Sequence, residues 1–75
     1  MIELTINGRR VELAGKTPLL RYLEQIGIEP RAVAVELNGE ILDRARFPET
    51  ALGPGDQVEI VRMVGGGLAR ARRLA

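Results

Sequence analysis

The sequence predicts an α+β domain in which one short helix packs on a mixed sheet of four to five strands. Three observations support this fold class: two Asn-Gly pairs beside alternating apolar segments, one apolar stripe at helical spacing, and a Gly-Pro-Gly-Asp turn before the last alternating segment. A chain of 75 residues has room for a single domain. Because it contains neither cysteine nor histidine, its core depends on aliphatic packing, without disulfides or a Cys/His zinc site.

The first thirteen residues are predicted to form a β-hairpin. Apolar and polar residues alternate over residues 1–6 and again over 9–13, which is typical of half-buried strands. Asn7-Gly8 between them favours a two-residue type I′ turn, since both central residues of that turn need a positive φ.

A helix is predicted over residues 17–26. Thr17 is a candidate N-cap, and Pro18 suits the first helical turn because its missing N–H is not needed there. Gly27 is placed to end the helix at C′. The apolar stripe expected to face the core consists of Leu19, Leu20, Leu23 and Ile26.

The residues after the helix predict the remaining strands. Residues 32–37 alternate as a strand, Asn38-Gly39 predicts a second tight turn, and Ile41-Leu42 predicts a short strand. Residues 43–52 are expected to be irregular, with Phe47 as a plug of the core. The last strand is predicted over residues 57–63. The order β-β-α-β-(β)-β indicates the β-grasp arrangement, in which a sheet wraps around one helix.

The composition limits the chemistry that this chain performs alone. It has no histidine, cysteine or serine, and Lys16 is its one lysine. The usual general base near neutral pH and the thiolate nucleophile are therefore absent. We assign no catalytic residue and no metal site, and we expect the chain not to be an enzyme.

Charge is distributed unevenly along the chain. Residues 1–67 carry eight basic and ten acidic side chains, whereas residues 68–75 carry three arginines and no acidic residue. A mildly acidic body argues against nucleic-acid binding. No apolar segment approaches the roughly 20 residues that span a bilayer, and the N-terminal residues do not fit a signal peptide. We expect a cytoplasmic protein that binds neither membrane nor nucleic acid.

The last strand and the residues after it resemble the ThiS/MoaD sulfur carriers. Residues 52–61, LGPGDQVEIV, are similar to that family's L-x-x-G-D-x-V-E-I signature, and residues 62–67, RMVGGG, are similar to the C-terminus of ThiS in particular. Residues 35–41, VELNGEI, and residues 6–9, INGR, also fit the family. The resemblance covers residues 1–67 and implies a ubiquitin-like fold.

The resemblance implies a carrier that supplies sulfur for the thiazole of thiamin. An E1-like adenylating enzyme (ThiF-like) would use ATP and magnesium to adenylate the terminal glycine, here Gly67, with Gly66 as the other candidate. A persulfide from a donor such as a cysteine desulfurase would then displace AMP. The thiocarboxylate so formed would pass its sulfur to a thiazole synthase (ThiG-like). The chain itself would bind no cofactor.

The same resemblance divides the chain into a β-grasp domain, residues 1–64, and a flexible Gly-rich arm with a basic tail, residues 65–75. A partner-docking arm is predicted at Val61, Met63, Val64 and Gly65. The first two of these lie on the strand face opposite Val58 and Ile60, so they are expected to be exposed and to suit docking. The alternative is that the loop carrying Phe47 covers them.

The tail departs from the ThiS pattern, because residues 68–75 leave no carboxylate at Gly67. A protease could remove the tail, the protein could be stored in an inactive form, or the family role could be lost. The tail could also be a basic arm for an acidic partner, and the glycines a plain linker. Eight residues are too few for a stable free helix, so we expect a disordered tail and an arm that is mobile from about Gly65.

Three other functions stay open on the residues. A carrier for tRNA thiolation would have the same features. The small subunit of molybdopterin synthase usually has an aromatic and a Pro-Pro stretch before Gly-Gly, which residues 61–64 lack. A regulatory binding module like the TGS domain shares the G-D-x-V-E-I end, but it normally has no glycine tail.

Overall fold

The computed structural model describes residues 1–63 and 71–73. The α-helix α1 covers Leu19–Gln25, and two 3-10 helices cover Pro30–Ala32 and Arg44–Glu49. The strands are β1 (Ile2–Ile6), β2 (Arg9–Leu13), β3 (Thr17–Pro18), β4 (Val33–Leu37), β5 (Glu40–Ile41), β6 (Ala51–Leu52), β7 (Gln57–Met63) and β8 (Ala71–Arg73).

Five of these strands lie side by side in the order β2-β1-β7-β4-β5. The pair β1–β7 is parallel and the other pairs in this row are antiparallel, so the sheet is mixed. Strand β8 adds to β7, and β3 and β6 form a separate two-residue pair. The prediction of an α+β, β-grasp fold with one helix on a mixed sheet is confirmed.

Both Asn-Gly turns form as predicted. Asn7 and Asn38 each have a φ of 52°, and the glycines that follow them have φ values of 80° and 87°. The first turn joins Ile6 to Arg9 in the β1–β2 hairpin, and the second joins Leu37 to Glu40 in the β4–β5 hairpin. The short strand β5 therefore begins one residue earlier than the predicted pair Ile41-Leu42.

The core lies between α1 and one face of the sheet. Phe47 is 2% exposed, which confirms its predicted role as a plug. No polar or charged side chain is buried among the residues that the structure describes. The buried residues are Leu4, Ile6, Leu19, Tyr22, Leu23, Val33, Val35, Phe47, Leu52, Val58 and Ile60.

The start of the helix differs from the prediction. Thr17 is not an N-cap, since its hydroxyl donates to the carbonyl of Gly15 (2.9 Å) and its backbone pairs in β3. A residue before proline avoids the helical region, which favours this extended backbone. The first helical N–H, that of Leu19, donates instead to the carbonyl of Thr50 (2.9 Å), so a neighbouring segment caps the helix.

The helix ends at Gln25, before the predicted Ile26. Gly27 has a φ of 76° and donates to the Glu24 carbonyl (3.0 Å), while Ile28 N–H donates to the Leu23 carbonyl (2.8 Å). These two bonds form a Schellman motif, as expected for glycine at C′. The prediction that Ile26 belongs to the core is wrong. At the C-cap, with ψ of 5°, it has left the helical stripe and is 44% exposed.

The segment predicted to be irregular, residues 43–52, contains the 3-10 helix Arg44–Glu49. The carboxylate of Asp43 accepts a hydrogen bond from the N–H of Ala45 (3.1 Å) and caps this helix. The Arg44 guanidinium donates to the carbonyl of Val33 (2.9 Å). These contacts hold the backbone around Phe47 against the sheet.

The tail also differs from the prediction where the structure describes it. Residues 71–73 form β8, antiparallel to residues 61–63 of β7, with Arg62 opposite Arg72. Strand β1 ends at Ile6 and pairs with β7 no further than Val58, so that edge of β7 has room for another strand. The glycine arm, for which mobility is predicted, lies outside the described residues.

Candidate functional site

The candidate site is the end of β7 that leads into the glycine arm, and its position depends on how β7 begins. The Asp56 carboxylate accepts hydrogen bonds from Gly53 N–H (2.8 Å) and from the Asn38 side-chain amide (3.0 Å). The Asn38 amide oxygen in turn accepts from Gln57 N–H (2.9 Å). Two turns thus fix the first residue of β7. This is the physical role of Asp56, the acidic residue of the Gly-Asp pair in the signature segment.

A second set of hydrogen bonds, the Asn7 clip, holds the middle of β7. The side-chain oxygen of Asn7 accepts from Ile60 N–H (2.7 Å), and its amide nitrogen donates to the Ile60 carbonyl (3.3 Å). The backbone N–H of Asn7 donates to the Val58 carbonyl (2.8 Å). The sequence indicated a turn former at Asn7 and gave no signal for this contact, because the partners are 53 residues apart.

Beyond this clip, β7 presents side chains on the outer face of the sheet, the face opposite α1. Alternation along β7 places Val61 and Met63 there, because Val58 and Ile60 point into the core. Ile41 shares this face through its register with Glu36, and it is 80% exposed. A shallow depression of about 140 Å³ is lined by Ala34, Val35, Glu36, Ile41, Glu59 and Val61.

The structure describes two of the four predicted docking residues. Val61 and Met63 are half-buried on the outer face. Phe47 belongs to the core on the helix side, so the alternative that its loop covers these two residues is wrong. Sequence reasoning missed Ile41, which it treated only as part of a short strand. No sequence signal indicated its exposure, because an apolar pair as short as Ile41-Leu42 does not indicate which residue faces the core.

The residues predicted to be modified, Gly66 and Gly67, lie outside the described residues, as do Val64 and Gly65. What the structure defines is the anchor of the arm. Residue 63 is the last described residue of β7, four residues before Gly67.

The described side chains offer little acid–base chemistry. Burial raises the pKa of the Tyr22 hydroxyl above its usual value, so this group is a weaker acid than a free tyrosine. Within residues 1–63 and 71–73 there is no group of three or more His, Cys, Asp or Glu residues that could hold a metal ion. None of the described helices is long and apolar enough to cross a membrane.

Comparison with known proteins identifies the family. The family model described as the ThiS family matches residues 4–67. The chain therefore belongs to the ThiS family, the ubiquitin-like sulfur carriers of thiamin biosynthesis. The recognition made from the signature and the three glycines is confirmed.

Individual relatives agree with this assignment. The sulfur carrier protein ThiS of Thermus thermophilus is 42% identical over 62 residues, which cover 83% of this chain and 95% of that protein. The crystal structure of the thiamine biosynthesis protein ThiS from Geobacter metallireducens matches with a TM-score of 0.75 and 35% identity, over 88% of this chain and 100% of that one.

A larger relative contains a similar segment. The thiazole synthase of Paramagnetospirillum magneticum is 34% identical over 70 residues, which cover 93% of this chain. The chain spans 22% of the length of that synthase. A stretch similar to this chain therefore occurs in one polypeptide that is named as a thiazole synthase.

Proposed function

We propose that this chain carries sulfur as a thiocarboxylate on Gly67 and donates it to the thiazole of thiamin. The observation that carries the proposal is the extent of the family match, which stops at residue 67. The three glycines that end the match have no Cβ, so such an arm threads a narrow passage and approaches a nucleotide closely. Gly66 is the alternative terminus.

The proposed chemistry has three steps. A carboxylate oxygen of Gly67 attacks the α-phosphate of magnesium-bound ATP on an E1-like enzyme, and pyrophosphate leaves. A persulfide sulfur from a donor such as a cysteine desulfurase attacks the acyl carbon, and AMP leaves with the bonding pair. A thiol then reduces the sulfur–sulfur bond, which releases the thiocarboxylate and a disulfide. Both ATP and the persulfide are held by partners, so the chain itself is not an enzyme.

A carboxylate at Gly67 requires cleavage of the Gly67–Leu68 peptide bond. Hydrolysis of this bond consumes one water and leaves the carboxylate on Gly67 and an amine on Leu68. We therefore include a tail-removing protease among the partners, beside the activating enzyme, the sulfur donor and the thiazole synthase. The similar segment within a thiazole synthase supports such an enzyme as the recipient of the sulfur.

Docking of the partners is proposed for the arm, Val61, Met63, Val64 and Gly65, and for the outer sheet face beside it. Val61 and Met63 lie next to the glycines, and the exposed Ile41 extends the apolar area. A group of one exposed and two half-buried apolar side chains on an outer face is typical of protein–protein contacts. The fixed start of β7 would hold this surface in a constant position relative to the arm.

Reconstitution tests the proposed function. A chain ending at Gly67 is incubated with an E1-like adenylating enzyme, magnesium-ATP, a cysteine desulfurase, cysteine and a thiol, and its intact mass is measured. We expect the mass change of one oxygen replaced by one sulfur. The matched controls are the 75-residue chain, in which Gly67 has no carboxylate, and a chain ending at Gly66.

The controls decide between the alternatives. If only the chain ending at Gly66 is converted, Gly66 and not Gly67 is the terminal residue that carries the sulfur. If neither shortened chain is modified by an enzyme that converts an established ThiS protein, the proposal is wrong, and a binding module becomes the better explanation.

A further inference from the structure

Three different partners bind in turn along the edge of β7 that faces β1. Strand β1 pairs with this edge only at Gln57 and Val58. The Asn7 side chain then forms hydrogen bonds with the backbone N–H and carbonyl of Ile60. Over residues 61–63 the same edge pairs with β8, a segment of the basic tail. The tail thus fills the last part of an edge that would otherwise present free backbone groups.

The hydrogen-bonding pattern identifies which residue depends on the tail. Asn7 binds the carbonyl of Val58 and both backbone groups of Ile60, so these two residues direct their peptide groups toward the β1 side. Alternation along the strand directs those of Arg62 the same way, toward Arg72 of β8. The peptide groups of Val61 point to the opposite edge, toward Ala34 of β4.

Charge favours the same contact. Residues 1–67 carry a net charge of −2 and residues 68–75 carry +3. Glu36 and Glu59 lie opposite each other on the outer face of the sheet. The register places Arg73 of the tail opposite Val61, two residues along β7 from Glu59. The tail therefore matches this part of the sheet in backbone pattern, and its net charge is opposite in sign to that of residues 1–67.

We propose that residues 61–63 of β7 form a strand-addition site for an extended basic segment, and that the chain's own tail occupies it as an intramolecular cap. This inference rests on the proposed function, because the covered edge adjoins the proposed docking arm. An uncleaved chain is then blocked twice: Gly67 lacks a carboxylate, and the β7 edge is occupied.

The small number of paired residues favours release of the cap. Strand β8 is three residues long, so few backbone hydrogen bonds hold it on β7. While the tail is attached, its high effective concentration keeps β8 in place. Cleavage after Gly67 removes that advantage, so the short tail dissociates. One hydrolysis would therefore create the carboxylate and open the docking edge.

Amide hydrogen exchange tests the cap without any partner protein. We compare the 75-residue chain with a chain ending at Gly67, which keeps every buried residue of the described core. We expect the Arg62 amide to exchange at least about tenfold faster in the shortened chain, while the Val61 amide, bonded to β4, stays unchanged. Equal exchange of the Arg62 amide in the two chains would overturn the cap.

Two full-length variants separate backbone pairing from charge. Arg72→Pro removes both the charge and the N–H that pairs with β7, whereas Arg72→Ala removes the charge alone. We expect rapid Arg62 exchange in Arg72→Pro and protection in Arg72→Ala. Protection in both variants would overturn strand pairing as the cause.

Binding of the same two variants to the E1-like enzyme tests the blocking. Neither variant has a Gly67 carboxylate, so a difference in affinity reports the cap and not the chemistry. We expect Arg72→Pro to bind about fivefold more tightly or better. Equal affinity, including no measurable binding by either variant, contradicts the blocking. Failure of the proposed function is a separate result, since it appears as an unmodified mass of the chain ending at Gly67.

Discussion

The first half of β7, residues 57–60, is fixed by side chains from three turns, whereas the described contacts of residues 61–63 are backbone pairs with β4 and β8. The first half also contributes Val58 and Ile60 to the core. The proposed function requires a surface in a constant position and an arm that adapts to each partner. The change in how β7 is held marks the boundary between these two properties.

The largest expected effect is on the buried half of the strand. Ile60→Ala removes a side chain that is 1% exposed and leaves a cavity, which should lower the free energy of unfolding by about 2–5 kcal/mol. Arg62→Ala, two residues along the same strand, is the matched control and should cost less than about 0.5 kcal/mol. Urea denaturation measures both, and equal losses would remove the contrast between the two halves.

The next effect concerns the clip at Asn7. Asn7→Gly keeps the positive φ of the turn but leaves Ile60 N–H without its acceptor, which should cost about 1–2 kcal/mol. Asn38→Gly is the matched control, because Asn38 has the same φ and its side-chain bonds are exposed, so water replaces them.

Chemical denaturation of these two variants sharpens the comparison. A larger loss for Asn38→Gly would mean that the entry into β7 matters more than the clip in its middle. The rigid part of the strand would then end before Ile60, and the boundary between the two halves would move toward Gln57.

The smallest expected effect on stability is for a substitution in the second half of β7, residues 61–63. The same substitution should have a clear effect on function. Val61→Ser should lower the unfolding free energy by no more than about 1 kcal/mol, since Val61 is half-buried on the outer face and lies outside the core. On a chain ending at Gly67, it should raise the KM for the adenylating enzyme about tenfold, equivalent to roughly 1.4 kcal/mol of lost contact. Glu12→Ser, on the same face but at the β2 edge, is the control. An unchanged KM for Val61→Ser would exclude this face from docking.

Much of the fold was predictable because local signals determine it. The two Asn-Gly turns, the alternation of Val58 and Ile60, and Gly27 at C′ each follow from the conformational preference of a few adjacent residues. The family resemblance rested on the same kind of adjacent residues, the Gly-Asp turn and the glycine run. The order of the strands within the sheet depends on contacts between distant residues, and the sequence predicted only a mixed sheet around one helix.

The rest depended on contacts between distant residues. Thr17 had the signature of an N-cap, yet its extended backbone pairs with Leu52, 35 positions away. Ile26 fitted the helical stripe, but the Schellman turn moved it out of the core. The pairing of the tail with β7 had no local signal, because residues 71–73 show neither the alternation nor the flanking turn that predicts a strand.

The most direct test of the carrier function is the intact mass of this protein isolated from its native cells. We expect a species that ends at Gly67, or at Gly66, with a fraction in which one oxygen is replaced by sulfur. A single species in which Gly67 is still joined to Leu68 would contradict the carrier function. The arm would then never be freed, and a binding or regulatory role would explain the chain better.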